Sequence, residues 1–277
     1  MGLVEISRNK WPELRDLYKT VWPRGAAAYC ALDTQIANPA ISDITNFKVY
    51  CPDGDISNGM VAICDSFGYY QLLIHQINDI AKIEEALEKT NVVDWNRSVV
   101  VPSAHPEVVE CLERLQKRLG ICKTYTKACK YVLDNTKPLY DLSIHPPESY
   151  VGPLKPKHIP LIDKTWSYHS GTTHLFFEVL MNNGMTYVLY SDKDDKPMSW
   201  ISVDMHGALA HLFTLEEYRK RGYGEFLIKY VANDLRRKGR IVLAYTIYGN
   251  EAPKKLFLKL GFDIIGLDHW ITLNKEK

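Results

Sequence analysis

The spacing of apolar and polar residues in the first half of the chain predicts a mixed α/β domain. Apolar residues at helical spacing predict helices over Lys10–Thr20, Ile80–Lys89 and Glu107–Leu119. Alternating or continuous apolar residues predict five strands: Phe47–Cys51, Met60–Cys64, Tyr69–His75, Val99–Val101 and Cys129–Leu133. Because Pro52-Asp53-Gly54 is a turn sequence, we expect the first three of these strands to form an antiparallel meander.

The second half of the chain repeats this order of elements. The pattern predicts four helices, near His158–Tyr168, Leu175–Asn182, Phe226–Leu235 and Pro253–Leu260. It predicts strands over Thr186–Tyr190, Trp200–Met205, Ala208–Thr214, Ile241–Ile247, Phe262–Ile265 and His269–Leu273. Gly261 suits the C-cap of the last helix. The repeated order indicates two copies of one mixed α/β unit.

A proline-rich segment separates the two halves. Six of the 14 prolines fall between Asn135 and Pro160, a density that blocks both helix interiors and central strands. The segment is therefore predicted to be an extended linker. The resulting domains are residues 1–140, a linker over residues 141–157, and residues 158–277.

Composition and charge narrow the class of protein. The 277 residues are 46% hydrophobic and 24% charged, which excludes a disordered or coiled-coil chain and suits two domains. The formal charge of +1 gives no electrostatic reason to expect nucleic acid or a membrane as a partner, and no apolar run approaches the ~18 residues of a membrane span. The basic run Arg236–Arg240 is expected to be a solvated helix end. No secretory signal and no Cys-x-x-Cys are seen, so we expect a reducing compartment, cytoplasmic or mitochondrial, and no metal site.

The most informative stretch is Leu212–Gly224, a predicted strand that leads through a turn into a helix. The N-terminus of a helix offers unpaired N–H groups to an anion. Gly222 and Gly224 let phosphate oxygens approach the backbone, and Arg219, Lys220 and Arg221 add positive charge. The stretch is neither a Walker P-loop nor a dinucleotide fingerprint. Alone it is equally compatible with a basic turn that caps a surface helix.

A second stretch, from Asn250 to Phe262, gives the first one a more specific meaning. Together the two stretches resemble the GNAT superfamily of acyl-CoA-dependent N-acyltransferases, which is characterised by Arg/Gln-x-x-Gly-x-Gly/Ala and, about thirty residues later, Asn-x-x-Ala-x-x-Leu-Tyr-x-x-x-Gly-Phe. Ile162–His169 and Leu215–Arg219 are similar to the glycine N-acyltransferase branch. The resemblance implies an α/β fold of two GNAT-like domains in tandem. The first domain lacks Arg-x-x-Gly-x-Gly and is therefore expected to be degenerate and non-catalytic.

The resemblance also implies roles for individual residues. The backbone of Leu212, Phe213 and Thr214 would pair with the pantetheine of acetyl-CoA or another acyl-CoA and polarise the thioester carbonyl. The pyrophosphate would be held by Arg219, Lys220, Arg221, Gly222, Tyr223 and Gly224. Asn250, Lys254 and Phe257 would contact the same co-substrate. Trp166, Tyr168 and His169 would line the pocket of a small-molecule amine acceptor, although an aromatic core around a loop explains them equally well.

Two departures from the family pattern concern the proton transfers. Phe257 stands where many members have a tyrosine that protonates the leaving thiolate, which leaves Tyr245, Tyr248 or water for that task. Ala208 stands where the glycine-conjugating branch tends to have a glutamate base. The replacement candidates are His211, His206 and Asp204, because a histidine titrates near neutrality, although each of them can also be purely structural.

The sequence thus leads to one hypothesis and one rival. The leading hypothesis is an acyl-CoA-dependent N-acyltransferase that acylates the amine of glycine or another amino acid. The rival is a catalytically weak or inactive CoA-binding or scaffold protein of the same fold, which the two departures keep open.

Overall fold

A computed structural model describes residues 2–275 of the chain. The helices, in chain order, are α1 Trp11–Leu17, α2 Ala26–Ala37, α3 Pro39–Ile44, α4 Ala81–Lys89, α5 Pro106–Leu119, α6 Ile159–Lys164, α7 Thr173–Asn182, α8 Tyr223–Arg237 and α9 Glu251–Lys259. The strands are β1 Leu3–Glu5, β2 Lys48–Pro52, β3 Gly59–Ser66, β4 Tyr69–Gln76, β5 Val99–Ala104, β6 Ile121–Leu133, β7 Ser149–Gly152, β8 Thr186–Ser191, β9 Pro197–Val203, β10 Ala208–Thr214, β11 Val242–Ile247 and β12 Phe262–Lys275.

The helices and strands that the pattern predicted are present, and the elements it missed have physical reasons. Helix α2 is apolar on most of its surface and nearly all of it is buried, so it has no polar face to mark a helical period. Strand β6 begins at Ile121, eight residues before the predicted start, because its exposed first half carries no apolar alternation. Strand β12 is one continuous strand, where the pattern predicted two.

The chain forms two compact units. The first unit contains the described residues up to Lys130, Thr246–Gly249 and those from Ile265 onward. Strands β2, β3 and β4 form the predicted antiparallel meander, β4 runs parallel to β5, and β5 pairs antiparallel with the C-terminal part of β12. Helices α4 and α5 pack on this sheet through apolar side chains such as Ile83, Leu87 and Leu112, which are fully buried.

The second unit contains Tyr131–Tyr245 and Asn250–Ile264. Strands β7, β8, β9 and β10 pair in that order as antiparallel neighbours, and β10 runs parallel to β11. Its core on one face joins Phe177 of α7 to Tyr190 and Trp200 of the sheet. Both units are mixed α/β, which confirms the predicted fold class.

The compact units are divided differently from the predicted consecutive domains. The last strand of the chain is divided between the units: its residues from Ile265 onward count with the first unit, where His269 to Leu273 pair with β5. The predicted linker is also partly structured, since Ser149–Gly152 forms β7, an edge position that tolerates nearby prolines. Arg236, expected to be solvated, donates instead to the carbonyls of Asn135, Lys137 and Pro138.

Candidate functional site

Strand β10 runs past the end of its pairing with β11. The parallel ladder covers Ala208 with Leu243 and Leu209 with Ala244, and β10 then continues for five residues to Thr214. Its other edge remains paired with β9, with a register shift between Ala210 and Phe213. The shift is a bulge, which twists and re-aims a strand. The edge of β10 that faced β11 is therefore open to a ligand along its last residues.

The turn after β10, which we call the motif turn (residues 215–222), is stabilised by hydrogen bonds from its own basic side chains to backbone carbonyls. The Arg219 side chain donates from Nε to the Thr214 carbonyl over 3.1 Å, and Arg221 donates from Nη2 to the Glu217 carbonyl over 2.9 Å. Lys220 has a left-handed backbone with φ of +61°. All three cations are exposed, so they also present positive charge to the solvent at this turn.

The motif turn ends at Gly222, which precedes the first residue of α8. Gly222 has φ of +80°, and a Cβ there would meet nothing within 4 Å. No side chain makes a capping hydrogen bond at this end of α8, so none of the side chains in residues 2–275 occupies the N-cap role. The one acidic side chain of the first turn, Glu225, is neutralised by Lys259 at 2.6 Å and Lys229 at 2.9 Å, and these partners lower its pKa. The end of α8 can thus receive an anion.

Gly224 has a different environment from Gly222. A Cβ on Gly224 would lie 3.7 Å from the Leu212 side chain and 3.7 Å from the Thr214 hydroxyl. The helix therefore begins close against the open part of β10. Ser199 of β9 fixes that part from the other side, because its hydroxyl donates to the Phe213 carbonyl over 2.8 Å. Sequence reasoning did not single out Ser199, since its contact is made across the sheet.

The second motif begins at the N-terminus of α9. Asn250 is exposed, and its side chain makes no capping hydrogen bond with the helix. Lys254, one turn later, pairs with Glu251 at 3.2 Å. Phe257 is buried, with its ring stacked on Tyr131 at 5.3 Å. Phe257 is thus a core residue in this structure, which does not support the prediction that it contacts the co-substrate.

His211 lies at the bulge of β10 inside an aromatic cluster. Its φ of +52° is unusual for a strand residue, and its ring lies 5.2 Å from Phe177, 5.9 Å from Trp166 and 6.2 Å from Trp200. Trp200 donates from Nε1 toward Nε2 of His211 over 3.5 Å. Burial lowers the pKa of His211 to about 4. A histidine held in this way is a weak base, so the geometry does not favour the predicted role.

The other three candidates for proton transfer lie elsewhere. Asp204 and His206 are in the hairpin turn before β10, where Asp204 accepts from the backbone N–H of His206 and of Ala208, each at 2.9 Å. At ~3.3 Å per residue, the seven residues of β10 put that turn about 20 Å from the motif turn. Tyr248 is 61% exposed and counts with the first unit. The structure therefore does not bring Asp204 or His206 to the motif turn.

The three predicted acceptor residues lie on the segment between α6 and α7. Trp166 stacks on Phe176 at 5.1 Å and lies 5.8 Å from Tyr168, which is 60% exposed. His169 is half-exposed, and its Nδ1 lies 3.1 Å from a carboxylate oxygen of Asp163, a buried residue of α6. Sequence reasoning passed over Asp163, because only the folded chain brings its carboxylate to His169.

Among residues 2–275, no three or more His, Cys, Asp or Glu side chains are grouped so as to hold a metal ion. No helix of the same residues is long and apolar enough to cross a membrane.

Comparisons with known proteins agree with this geometry. A model of the FR47-like protein family matches residues 187–271, which include both motifs. Glycine N-phenylacetyltransferase of Bos taurus is 22% identical over 213 residues, or 70% of this chain and 72% of the relative. A Drosophila protein of known structure is similar with a TM-score of 0.85 at 17% identity, over 99% of both chains.

A fourth comparison concerns the duplicated architecture. A tandem GNAT protein from the clavulanic acid biosynthesis pathway is similar over 100% of this chain and 98% of its own, with a TM-score of 0.56 at 14% identity. This likeness supports the two GNAT-like domains that the resemblance implied. The chain thus has the fold of a tandem of two GNAT-like domains, and the part of it that carries both motifs is similar to the FR47-like protein family.

Proposed function

We propose that the second unit binds an acyl-CoA and transfers its acyl group to the amine of a small molecule, glycine or another amino acid. The observation that carries this proposal is the continuous surface from the open edge of β10, through the motif turn, to the uncapped start of α8. It offers backbone hydrogen-bonding groups, then positive charge, then helix N–H groups. This order matches a pantetheine followed by a pyrophosphate.

The residues present fit such a co-substrate. The open space at Gly222 leaves room for phosphate oxygens, and Arg219, Lys220 and Arg221 are exposed beside it. The Thr214 carbonyl accepts a hydrogen bond from the Arg219 side chain, and its oxygen has a second lone pair for an amide N–H. The Asn250 side chain makes no capping hydrogen bond with α9, so it would be able to contact the same molecule from the start of that helix.

The acceptor and the acyl group are inferred from the aromatic segment and from the relative. Trp166 is partly exposed and its ring lies 5.9 Å from that of His211 of β10, and the mostly exposed Tyr168 lies against Trp166. Their faces would suit an aromatic acyl chain, and the Bos taurus relative is named for transfer of phenylacetyl to glycine. We therefore propose glycine as the first acceptor to test, and acetyl-CoA and phenylacetyl-CoA as the first donors. A cytoplasmic or mitochondrial location is part of the same proposal.

Calorimetric titration of the purified chain with acetyl-CoA tests the binding step. We expect micromolar affinity, weaker for the analogue that lacks the 3′-phosphate, and a matching rise in Tm. Thiol release that depends on glycine then tests the transfer step. No binding at millimolar acetyl-CoA would contradict the proposal.

A catalytically inactive CoA-binding protein is the second candidate, and specific observations favour it. Phe257 lacks a hydroxyl and is buried in the core, and the buried Ala208 itself supplies no carboxylate at the start of β10. Tight acetyl-CoA binding without thiol release across a broad panel of amines would support this candidate over the transferase.

A further inference from the structure

A carboxylate–imidazole pair joins α6 to the segment before α7. Nδ1 of His169 lies 3.1 Å from Oδ2 of Asp163. The Asp163 side chain is 8% exposed, whereas that of His169 is 49% exposed. Since Nδ1 faces the carboxylate, the imidazole is held with Nε2 on the side away from Asp163, and Nε2 forms no hydrogen bond with residues 2–275. The pair thus combines a buried anchor with an accessible nitrogen.

Asp163 is itself fixed in place. Its other oxygen, Oδ1, accepts a hydrogen bond from the Thr173 hydroxyl at the start of α7, and that hydroxyl also lies 3.4 Å from Nδ1 of His169. A carboxylate that accepts from a protonated Nδ1 selects the tautomer in which Nε2 is free to take a proton. The arrangement is the one that orients a histidine base in other enzymes.

The pair is connected through Trp166 to the strand that carries the proposed thioester site. The backbone N–H of His169 donates to the Trp166 carbonyl over 3.0 Å, and the Trp166 ring lies 5.9 Å from His211 of β10. His211 and His169 therefore differ sharply although they belong to the same region. His211 is enclosed by aromatic rings and already receives the N–H of Trp200, whereas His169 presents a free nitrogen to solvent.

We infer that His169 is the general base of the proposed transfer and that Asp163 is its positioning residue; this inference rests on the proposed function. The ammonium group of the acceptor gives one proton to Nε2 of His169, which passes it to water. The neutral nitrogen then forms the C–N bond, and the C–S bond breaks with its electron pair on sulfur. The proton that the new amide nitrogen sheds goes to that thiolate, so the products are an amide and a free thiol.

The experiment compares His169→Ala with His174→Ala, using acetyl-CoA or phenylacetyl-CoA with glycine. His174 is an exposed histidine of α7 and serves as the matched control. Removal of a general base lowers kcat by roughly 10²–10⁴-fold. We expect a fall of that order for His169→Ala with unchanged affinity for acetyl-CoA, and partial recovery when imidazole is added. Because Nε2 is accessible, free imidazole can take its place.

A second variant tests the positioning role of Asp163. Asp163→Asn should lower kcat in the wild-type background and should have little further effect in the His169→Ala background, because the two residues act as one unit. A loss in His169→Ala below about threefold, or one that imidazole does not restore, would overturn the inference. So would additive losses in the double variant. If the wild-type chain releases no thiol with any amine, the proposed function fails instead, which is a distinguishable result.

Discussion

In both units a strand continues past the end of its parallel pairing, but the turn that follows this strand differs between the units. In the first unit, β4 pairs with β5 at Tyr70 and Gln71 and then continues for five residues to Gln76. In the second unit, β10 pairs with β11 at Ala208 and Leu209 and continues for five residues to Thr214. Both strands therefore have an unpaired last stretch on the same edge. The geometry of these strands is therefore the same in the two units.

The turns that follow these strands are where the units diverge. Four residues connect β4 to α4, with no glycine among them, and Asp79 accepts the N–H of Ala81 over 2.9 Å. Eight residues connect β10 to α8, and they end in three cations and Gly222. A carboxylate thus already serves the start of α4, whereas the start of α8 is left for an external anion.

Side chains also fill the end of β4. Gln76 donates to Glu107 over 2.7 Å, and Arg24 pairs with Glu107 at 3.3 Å and donates to the Ile77 carbonyl over 2.6 Å. This network satisfies groups that would otherwise face a ligand. The two units thus differ in this turn and in a few local side chains, whereas their strands end in the same way.

Of the variants considered, Gly222→Glu should have the largest effect on acetyl-CoA affinity. The substitution would place a carboxylate at the start of α8, as Asp79 does at the start of α4. We expect a loss of acetyl-CoA affinity of more than 100-fold, or about 3 kcal/mol. Gly239→Glu is the matched control, since Gly239 also has a positive φ, of +70°, and open space around it, but lies beyond the other end of α8. Calorimetry on both variants separates backbone strain from loss of the site. Equal affinity in Gly222→Glu and the wild type would refute our placement of the phosphates.

The pH dependence of stability gives the next largest effect. Leu73 of β4 and His211 of β10 occupy equivalent positions, because each lies three residues after the first residue of its strand that pairs with the parallel neighbour. The first unit thus has an apolar residue where the second has a histidine. Burial lowers the pKa of His211 to about 4, against about 6.5 in an unfolded chain. The unfolded state therefore binds the proton first, so stability is full above pH 6.5 and falls as the pH drops toward 4, by about 3 kcal/mol.

His211→Asn tests this pH dependence, because asparagine does not titrate and tolerates a positive φ. Urea unfolding of the variant and the wild type at several pH values between 4.5 and 8 gives the difference between their slopes. The other histidines contribute equally to both proteins and cancel in that difference. Parallel curves would mean that His211 is not buried as described.

The sequence was sufficient to predict the strand and the helix that carry the first motif. It was not sufficient to predict the side-chain contacts that decide the chemistry of the candidate site. Strand β10 and helix α8 were predicted because each has a clear period and the glycines mark the turn between them. The bulge at His211 could not be predicted. The pattern of apolar and polar residues along β10 is that of a regular strand and does not reveal the positive φ of His211. The Asp163–His169 pair and the pairing of β12 with β5 depend on tertiary contacts between distant or differently oriented residues, which periodicity does not encode.

Arg219→Ala should weaken acetyl-CoA binding by about tenfold, or about 1.4 kcal/mol. Arg219 supplies charge beside the proposed pyrophosphate, and it also holds the motif turn through the Thr214 carbonyl. Arg237→Ala, at the last residue of α8, removes the same charge far from the turn and should leave the affinity within twofold (~0.4 kcal/mol). Titrations at two salt concentrations check the electrostatic origin, since the difference between the variants should shrink as salt screens it. Equal losses in the two variants would indicate a general effect of net charge.

Asp79→Lys in the first unit should have the smallest effect. We expect it to leave the stoichiometry of acetyl-CoA binding unchanged. The substitution replaces a repelling carboxylate by a cation, yet the turn after β4 still lacks a glycine, and Gln76, Glu107 and Arg24 still occupy the end of the strand. One molecule of acetyl-CoA per chain is therefore expected for both the wild type and the variant in calorimetry. A second binding event in the variant would show that charge alone separates the two units, and the glycine and the open strand end would then matter less than the comparison implies.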